Sequence, residues 1–411
     1  MKYIVILGDG MADYPVPELG GKTPLQAARK PRIDALARRG EMGMVKTVPD
    51  GLPPASDVAN LSVMGYDPAK YYTGRSPIEA VSMGIDLGPT DVAFRCNLVS
   101  LSEEGEYTDK TMLDYSSDEI ATDEARVLVE AVQRGLGTDE MQFHSGISYR
   151  HCMVWKLGPL GCGLTPPHDI SLKPILEHLP KGEAAEKILR LMKESHEILR
   201  GHPINKARKA RGELCANSIW LWGQGRKPAI PAFADRYGLR GSVISAVDLI
   251  KGLGICAGMR SIDVEGATGT IHTNFAGKAE AAIRELKSGQ DFVYVHIEAP
   301  DECGHHNQIE DKVRSIELID ELVVGNIEDG MEGSGEYRIL VLPDHPTPLS
   351  LRTHTSDAVP FLIYEKGKER SSGLARYDEI EAKKSGIFVA RGHELMDRFL
   401  GVGKLSARPD A

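Results

Sequence analysis

Short apolar runs separated by amphipathic stretches set the pattern of this chain. Tyr3-Ile4-Val5-Ile6-Leu7 is an unbroken apolar run closed by Gly8-Asp9-Gly10, and Phe292 to Ile297 and Arg338 to Leu342 repeat the form. Runs of this length without alternation predict strands buried on both faces. Between them lie helical patterns: Arg32 to Arg39, opened by Pro31 and ended by Gly40, Lys278 to Leu286, a long one from Ile309 to Ile327, and a closing one from Ala390 to Leu400. Met42 to Val48, Ser242 to Ala246 and Val359 to Tyr364 read as further strands, Val247 to Gly252 as a short helix, and Gly330 to Glu336 as a polar loop. Strands alternating with helices predict an α/β fold with a mostly parallel sheet covered by helices on both faces. Ligands of such sheets gather beyond the carboxyl ends of the strands.

The texture changes near Thr90. Val92 to Leu101 is strand-like, Asp118 to Arg134 is an amphipathic helix, and Met141 to Leu157 holds two strand-like runs around Ser145-Gly146. A Gly- and Pro-rich loop (158–167), a charged helix from Glu183 to Arg200 and a strand from Asn217 to Trp222 follow, the last ending in Gly223-Gln224-Gly225-Arg226. Residues 90–228 therefore read as an inserted, smaller α+β domain, and 1–89 with 229–411 as the core. Ahead of the insert, Ser76-Pro77-Ile78-Glu79 carries a helix-start signature with Ser76 as cap.

Composition narrows the function. The 411 residues suffice for two cores, and 41% hydrophobic with 26% charged content is that of an ordinary globular protein. A formal net charge of −10 argues against a broad nucleic-acid surface and suits a small-molecule enzyme. Six cysteines without a CxxC pair indicate neither a zinc knuckle nor a disulfide framework, and they suit reduced thiols in a cytoplasmic setting. No apolar run approaches membrane-spanning length.

Candidate chemistry lies at the predicted strand ends. Asp9, Asp301 and Asp344 each follow an apolar run, and Asp344-His345 sits where Pro343, Pro346 and Pro348 break the chain. Asp301 and His305 are four apart, which on a helical turn puts them on one face. With His354 the aspartates and histidines number six, more than one tetrahedral ion needs, and they point to a pair of divalent metals. Ser56 follows Pro53-Pro54-Ala55 and opens a helix that Gly65 ends. A serine at a helix N-terminus is an ordinary cap, but beside two metals it is an activated nucleophile facing a phosphate site.

The chain resembles a family. Asp9-Gly10-Met11-Ala12-Asp13, the segment Pro53 to Pro68, Tyr72-Thr73-Gly74-Arg75-Ser76-Pro77-Ile78-Glu79-Ala80, Ile219-Trp220-Leu221-Trp222-Gly223-Gln224-Gly225 and Val264-Glu265-Gly266-Ala267-Thr268-Gly269 are similar to those of the archaeal-type cofactor-independent (2,3-bisphosphoglycerate-independent) phosphoglycerate mutases of the alkaline phosphatase superfamily. The likeness runs from residue 1 to about 400. It implies an alkaline phosphatase-like core, one metal on Asp301, His305 and His354, and a second on Asp9, Asp344, His345 and the nucleophile Ser56. It further implies interconversion of 3- and 2-phosphoglycerate through a phosphoserine, without bisphosphoglycerate or nucleotide. Manganese is the ion usual in bacterial relatives, with zinc, magnesium and cobalt as alternatives.

A phosphoglycerate needs converging cations. Arg150, His151 and Arg226 of the insert are the candidates for substrate binding, with Lys251 in the returning core; His144 is an alternative and His306 a bystander. Rival expectations are a homoserine kinase-like phosphotransferase and a phosphomonoester hydrolase, both using Ser56 and the metals. An ATP site has little local support: the first glycine of a P-loop ending Gly21-Lys22-Thr23 would fall on Val16, and Asp13 stands where a dinucleotide fingerprint needs glycine. The expected partner is a small phosphorylated molecule, with no nucleic acid or membrane, and the oligomeric state is left open.

Overall fold

The computed structural model describes residues 1–103, 105–369 and 371–402. The chain divides into two compact units, one of Met1–Tyr72 with the chain from Ile230 onward, the other of Thr73–Ala229.

Strands numbered along the whole chain place eight in the sheet of the first unit: β1 (Lys2–Gly8), β2 (Glu41–Val45), β10 (Gly241–Ile244), β11 (Arg260–Ile262), β12 (Phe292–Ile297), β13 (Tyr337–Leu342), β14 (Val359–Glu365) and β15 (Phe388–Val389). Their spatial order is β11-β10-β12-β1-β13-β14-β2-β15. Pairing is parallel throughout except at β14, which runs antiparallel to both β13 and β2. Ile4 and Ile6 pack into a cluster with the helices Pro31–Arg39 and Phe275–Lys287. Val5 and Leu7, pointing the other way, are equally buried, which is why β1 is apolar without a break from Ile4 to Leu7.

The long predicted helix is a composite. Ile309–Leu318 and Gly325–Gly330 are α-helical, and Ile319–Val324 between them is a π-helical turn. The turn carries Asp320, whose carboxylate accepts the backbone N–H groups of Arg32 and Ile33 at 3.3 and 2.7 Å. The Pro31–Arg39 helix has no side-chain cap of its own, and Asp320 supplies the missing acceptor across the core. Sequence patterning detects the helix but not the π turn, because a single inserted residue barely disturbs the apolar period.

The second unit is built on β3 (Val92–Leu101), which pairs antiparallel with β4 (Met112–Asp114) and β6 (Arg150–Trp155) and also with β9 (Ser218–Arg226); β5 (Met141–His144) follows β6. A separate ribbon joins β7 (Cys162–Gly163) and β8 (Lys181–Gly182). Helices Thr122–Leu136 and Ala185–Leu199 bury Leu128, Val132, Ile188 and Met192 in one cluster with Phe94 and Leu98 of β3.

Four local expectations change. The helix expected from Asp118 starts at Thr122, because Ser117, Asp118 and Glu119 take positive φ. The strand expected to end at Trp222 continues to Arg226 through a register shift opposite Ala93 and Arg95, with Gly223 at φ 62°. Ser76 is not a cap: it opens the Ser76–Ser82 helix, donating to the Gly223 carbonyl and accepting from the Arg95 N–H. These contacts hold that helix to β3 and β9, so the unit begins at Thr73 and not at residue 90. A further helix, Pro203–Ala210, was not anticipated.

Among the described residues, no helix is long and apolar enough to cross a membrane.

Candidate active site

Three neighbouring parallel strands of the first unit end beside one another, and each delivers an acid. Asp9 follows β1, and its N–H bonds the Ile297 carbonyl at 2.9 Å. The short helix Ala299–His305 follows β12 and carries Asp301 and His305 one turn apart. Asp344 and His345 follow β13, where Pro343 and Pro346 release the chain from the sheet. Gly10 makes the close approach possible: it takes φ 60°, and a Cβ there would lie 2.6 Å from Asp301 Oδ1 and 2.5 Å from Thr347 Oγ1. Its N–H donates to Asp344 Oδ1 at 3.1 Å.

The side chains form two groups. In the first, His305 Nε2 is 3.2 Å from Asp301 Oδ2, His354 Nε2 is 3.3 Å from Asp301 Oδ1, and the two imidazole nitrogens are 2.9 Å apart. In the second, His345 Nε2 lies 3.4 Å from Asp344 Oδ2 and 3.6 Å from Asp9 Oδ1. Within each group the potential ligand atoms are within 4.8 Å of one another. Ser56 begins the helix Ser56–Val63, and its Oγ is 3.1 Å from His345 Nε2.

The electrostatics call for cations. Burial, then the charges of Asp344 and Asp301, pushes the Asp9 carboxyl well above the usual range. Burial would also raise Asp301, but hydrogen bonds from His305 and His354 outweigh it and hold that carboxyl well below the usual value. The Asp301 hydrogen bond lifts His305 to about 9. Asp9 Oδ1 is buried and has no hydrogen-bond partner among the described residues. An orphaned carboxylate oxygen and convergent imidazole nitrogens with mixed N/O donors fit divalent transition ions.

Side chains that sequence reasoning passed over hold this arrangement. Asn60, one turn after Ser56, donates to the Ser56 carbonyl at 2.9 Å and to Asp344 Oδ2 at 2.8 Å, and accepts from the Tyr294 hydroxyl at 2.7 Å. The Thr347 hydroxyl donates to Asp301 Oδ1. Lys312, fully buried, bonds Asp13 at 2.7 Å and the Thr347 carbonyl at 2.8 Å, so an interior ion pair anchors the loop after His345. The four-residue spacing of Ser56 and Asn60 was a usable signal; nothing local marks Thr347 or Lys312.

A family model for 2,3-bisphosphoglycerate-independent phosphoglycerate mutase matches residues 37–205. A relative from Geobacter sulfurreducens is 55% identical over 97% of this chain and all of its own length. The 2,3-bisphosphoglycerate-independent phosphoglycerate mutase of Methanothrix thermoacetophila is 51% identical, covering 96% of this chain and 98% of the relative. The chain belongs to the archaeal-type 2,3-bisphosphoglycerate-independent phosphoglycerate mutase family. The solved cofactor-independent phosphoglycerate mutase of Thermoplasma acidophilum superposes with a TM-score of 0.69 at 27% identity, covering 98% of this chain and 99% of that one.

The residues expected to contact a phosphoglycerate in this mutase-family chain lie in both units. Lys251 is in the first and bonds Asp263 at 2.6 Å. In the second, Arg150 is exposed with its guanidinium 5.2 Å from the Tyr149 ring, and Arg226 closes β9 with its Nε lacking a hydrogen-bond partner among the described residues. His151 is 5% exposed, burial lowers its imidazole to about 3, and its Nδ1 accepts the Gly146 N–H. His144 is half-buried, and His306 bonds within its own helical turn, to the Glu302 carbonyl.

Proposed function

We propose that this chain interconverts 3-phosphoglycerate and 2-phosphoglycerate through a phosphoryl group carried on Ser56. The observation that carries this reading is the position of Ser56, at the first residue of a helix and 3.1 Å from His345 Nε2. The full-length relatives named as mutases support the substrate. Asp301, His305 and His354 would hold one divalent ion, and Asp9, Asp344, His345 and Ser56 the other, with manganese the first to test. Bound there, the ions would favour the serine alkoxide and screen the phosphoryl oxygens.

The remaining work falls to the protein. Ser56 Oγ gives up its proton and attacks phosphorus as the bond to the substrate 3-oxygen breaks, and that oxygen takes up a proton to leave as a hydroxyl. After the glycerate turns, its 2-hydroxyl gives up its proton and takes the phosphoryl group back, and Ser56 Oγ is reprotonated. The backbone N–H groups and positive dipole end of the Ser56–Val63 helix suit a phosphoryl group on Oγ. Asn60 keeps that helix against Asp344. Arg150, Arg226 and Lys251 are the cations we assign to the substrate carboxylate and phosphate.

The test is a coupled assay from 3-phosphoglycerate without bisphosphoglycerate, with Mn²⁺, with chelator, and with Ser56→Ala. Activity that requires both metal and Ser56 is expected. A metal-loaded protein that is inert on phosphoglycerate would overturn the reading and send the assay to homoserine or simple phosphomonoesters.

A further inference from the structure

We propose that His296 is a positioning residue that selects which oxygen of Asp9 faces the metal. The parallel register accounts for its place. In β12 and β1, His296 pairs with Leu7, and Asp9 stands two residues on from Leu7, where side chains return to the same face. On the other side, Ile244 of β10 pairs with Val295, so Ser245 comes level with His296. Ser245, His296 and Asp9 thus form a row across the carboxyl ends of three adjacent strands.

The hydrogen bonds along that row have one consistent direction. The Val247 N–H donates to Ser245 Oγ at 2.9 Å, so the serine proton is free to point at His296 Nδ1, 3.1 Å away. With Nδ1 accepting, the ring proton sits on Nε2 and is donated to Asp9 Oδ2 at 2.9 Å. His296 is wholly buried, and both of its nitrogens are used in this row. The same bond occupies Oδ2 and leaves Oδ1 as the buried oxygen without a partner. Oδ1 is the oxygen on the His345 side, 3.6 Å from Nε2. An outer partner that spends one carboxylate oxygen orients the other toward the ion, and loss of such a partner typically weakens metal binding about 10–100-fold.

This inference rests on the reading that Asp9 holds a metal, and the experiment separates the two. Purified protein is loaded with Mn²⁺, and bound ions are counted and titrated against a chelator for the wild type, His296→Asn, His296→Gln and Ser245→Ala. The wild type should hold two ions. His296→Asn, which cannot reach Asp9 with a donor, should keep one ion and bind the second about 10–100-fold more weakly, with kcat recovering in excess metal. His296→Gln places an amide N–H near the Nε2 position and should restore much of the second affinity. Ser245→Ala, which frees the tautomer, should weaken the second ion by a smaller factor and decides the matter if His296→Asn does not fold. A wild type that binds no ions would sink the metal reading. Two ions held with unchanged affinity in His296→Asn, or in Ser245→Ala where that is the variant that folds, would overturn the role of His296 alone.

Discussion

The Asn60 amide and the Asp344 carboxylate meet at 2.8 Å in a fully buried contact that ties the helix of Ser56 to the end of β13. The same amide bonds the Ser56 carbonyl and the Tyr294 hydroxyl, so every polar atom of Asn60 is used. Asn60→Ala should strand these buried partners and cost about 2–3 kcal/mol of stability by urea unfolding. Its kcat should fall roughly 10–100-fold, as for the loss of a residue that orients a ligand. Asn60→Asp, which sets a second carboxylate against Asp344, should be worse in activity than Asn60→Ala. Equal activity of all three proteins would show that the contact is structural only.

Metal binding should be linked to pH through His305. Its imidazole is raised to about 9 by the Asp301 hydrogen bond, so at neutral pH it carries a proton that an ion must displace. Affinity at the Asp301 group should therefore rise by about tenfold per pH unit and level off near 9. Calorimetry in two buffers of different ionisation enthalpy should register about one proton released from this residue per ion. A pH-independent affinity would contradict the geometry.

Glu379 supplies a stability prediction away from the metals. Burial pushes its carboxyl from 4.5 to about 7, against the weaker opposing pull of the Thr23 hydroxyl and the Asp13 N–H. The folded state therefore holds the proton more tightly than the unfolded chain. Its stabilising contribution is complete below about 4.5 and is lost as pH rises through about 7. The loss amounts to about 3 kcal/mol. Glu379→Gln keeps an acceptor for Asp13 and a donor toward Thr23, so it should match the wild type near pH 4.5 and exceed it at pH 8. Parallel stability profiles for the two proteins would refute this.

Much of the fold was legible because buried parallel strands announce themselves. Residues 3–7, 292–297 and 338–342 are apolar at nearly every position, and each is followed by an acid at a break in the pattern. The six acids and imidazoles singled out from those breaks do converge into two groups, since parallel strands all end on one edge of their sheet. The second unit was less legible. Its first boundary hangs on what Ser76 bonds, and a serine before Pro-Ile-Glu looks like a cap until Gly223 and Arg95 are seen to claim its hydroxyl. His151 stands beside an arginine in sequence, yet its strand register turns it inward and burial leaves it uncharged.

What the chain alone determined was the chemistry available: which acids, imidazoles and serine stand at strand and helix ends, and the family those segments resemble. What only the tertiary structure decided was which atoms are left over for a ligand. Asp9 offers Oδ1 rather than Oδ2 because His296 of the neighbouring strand, itself bonded to Ser245, has already used the other oxygen. The reason is physical. Strand ends are set by local periodicity, but the partner of each polar atom is set by register between strands distant in sequence, as for Asp9 and His296, 287 residues apart.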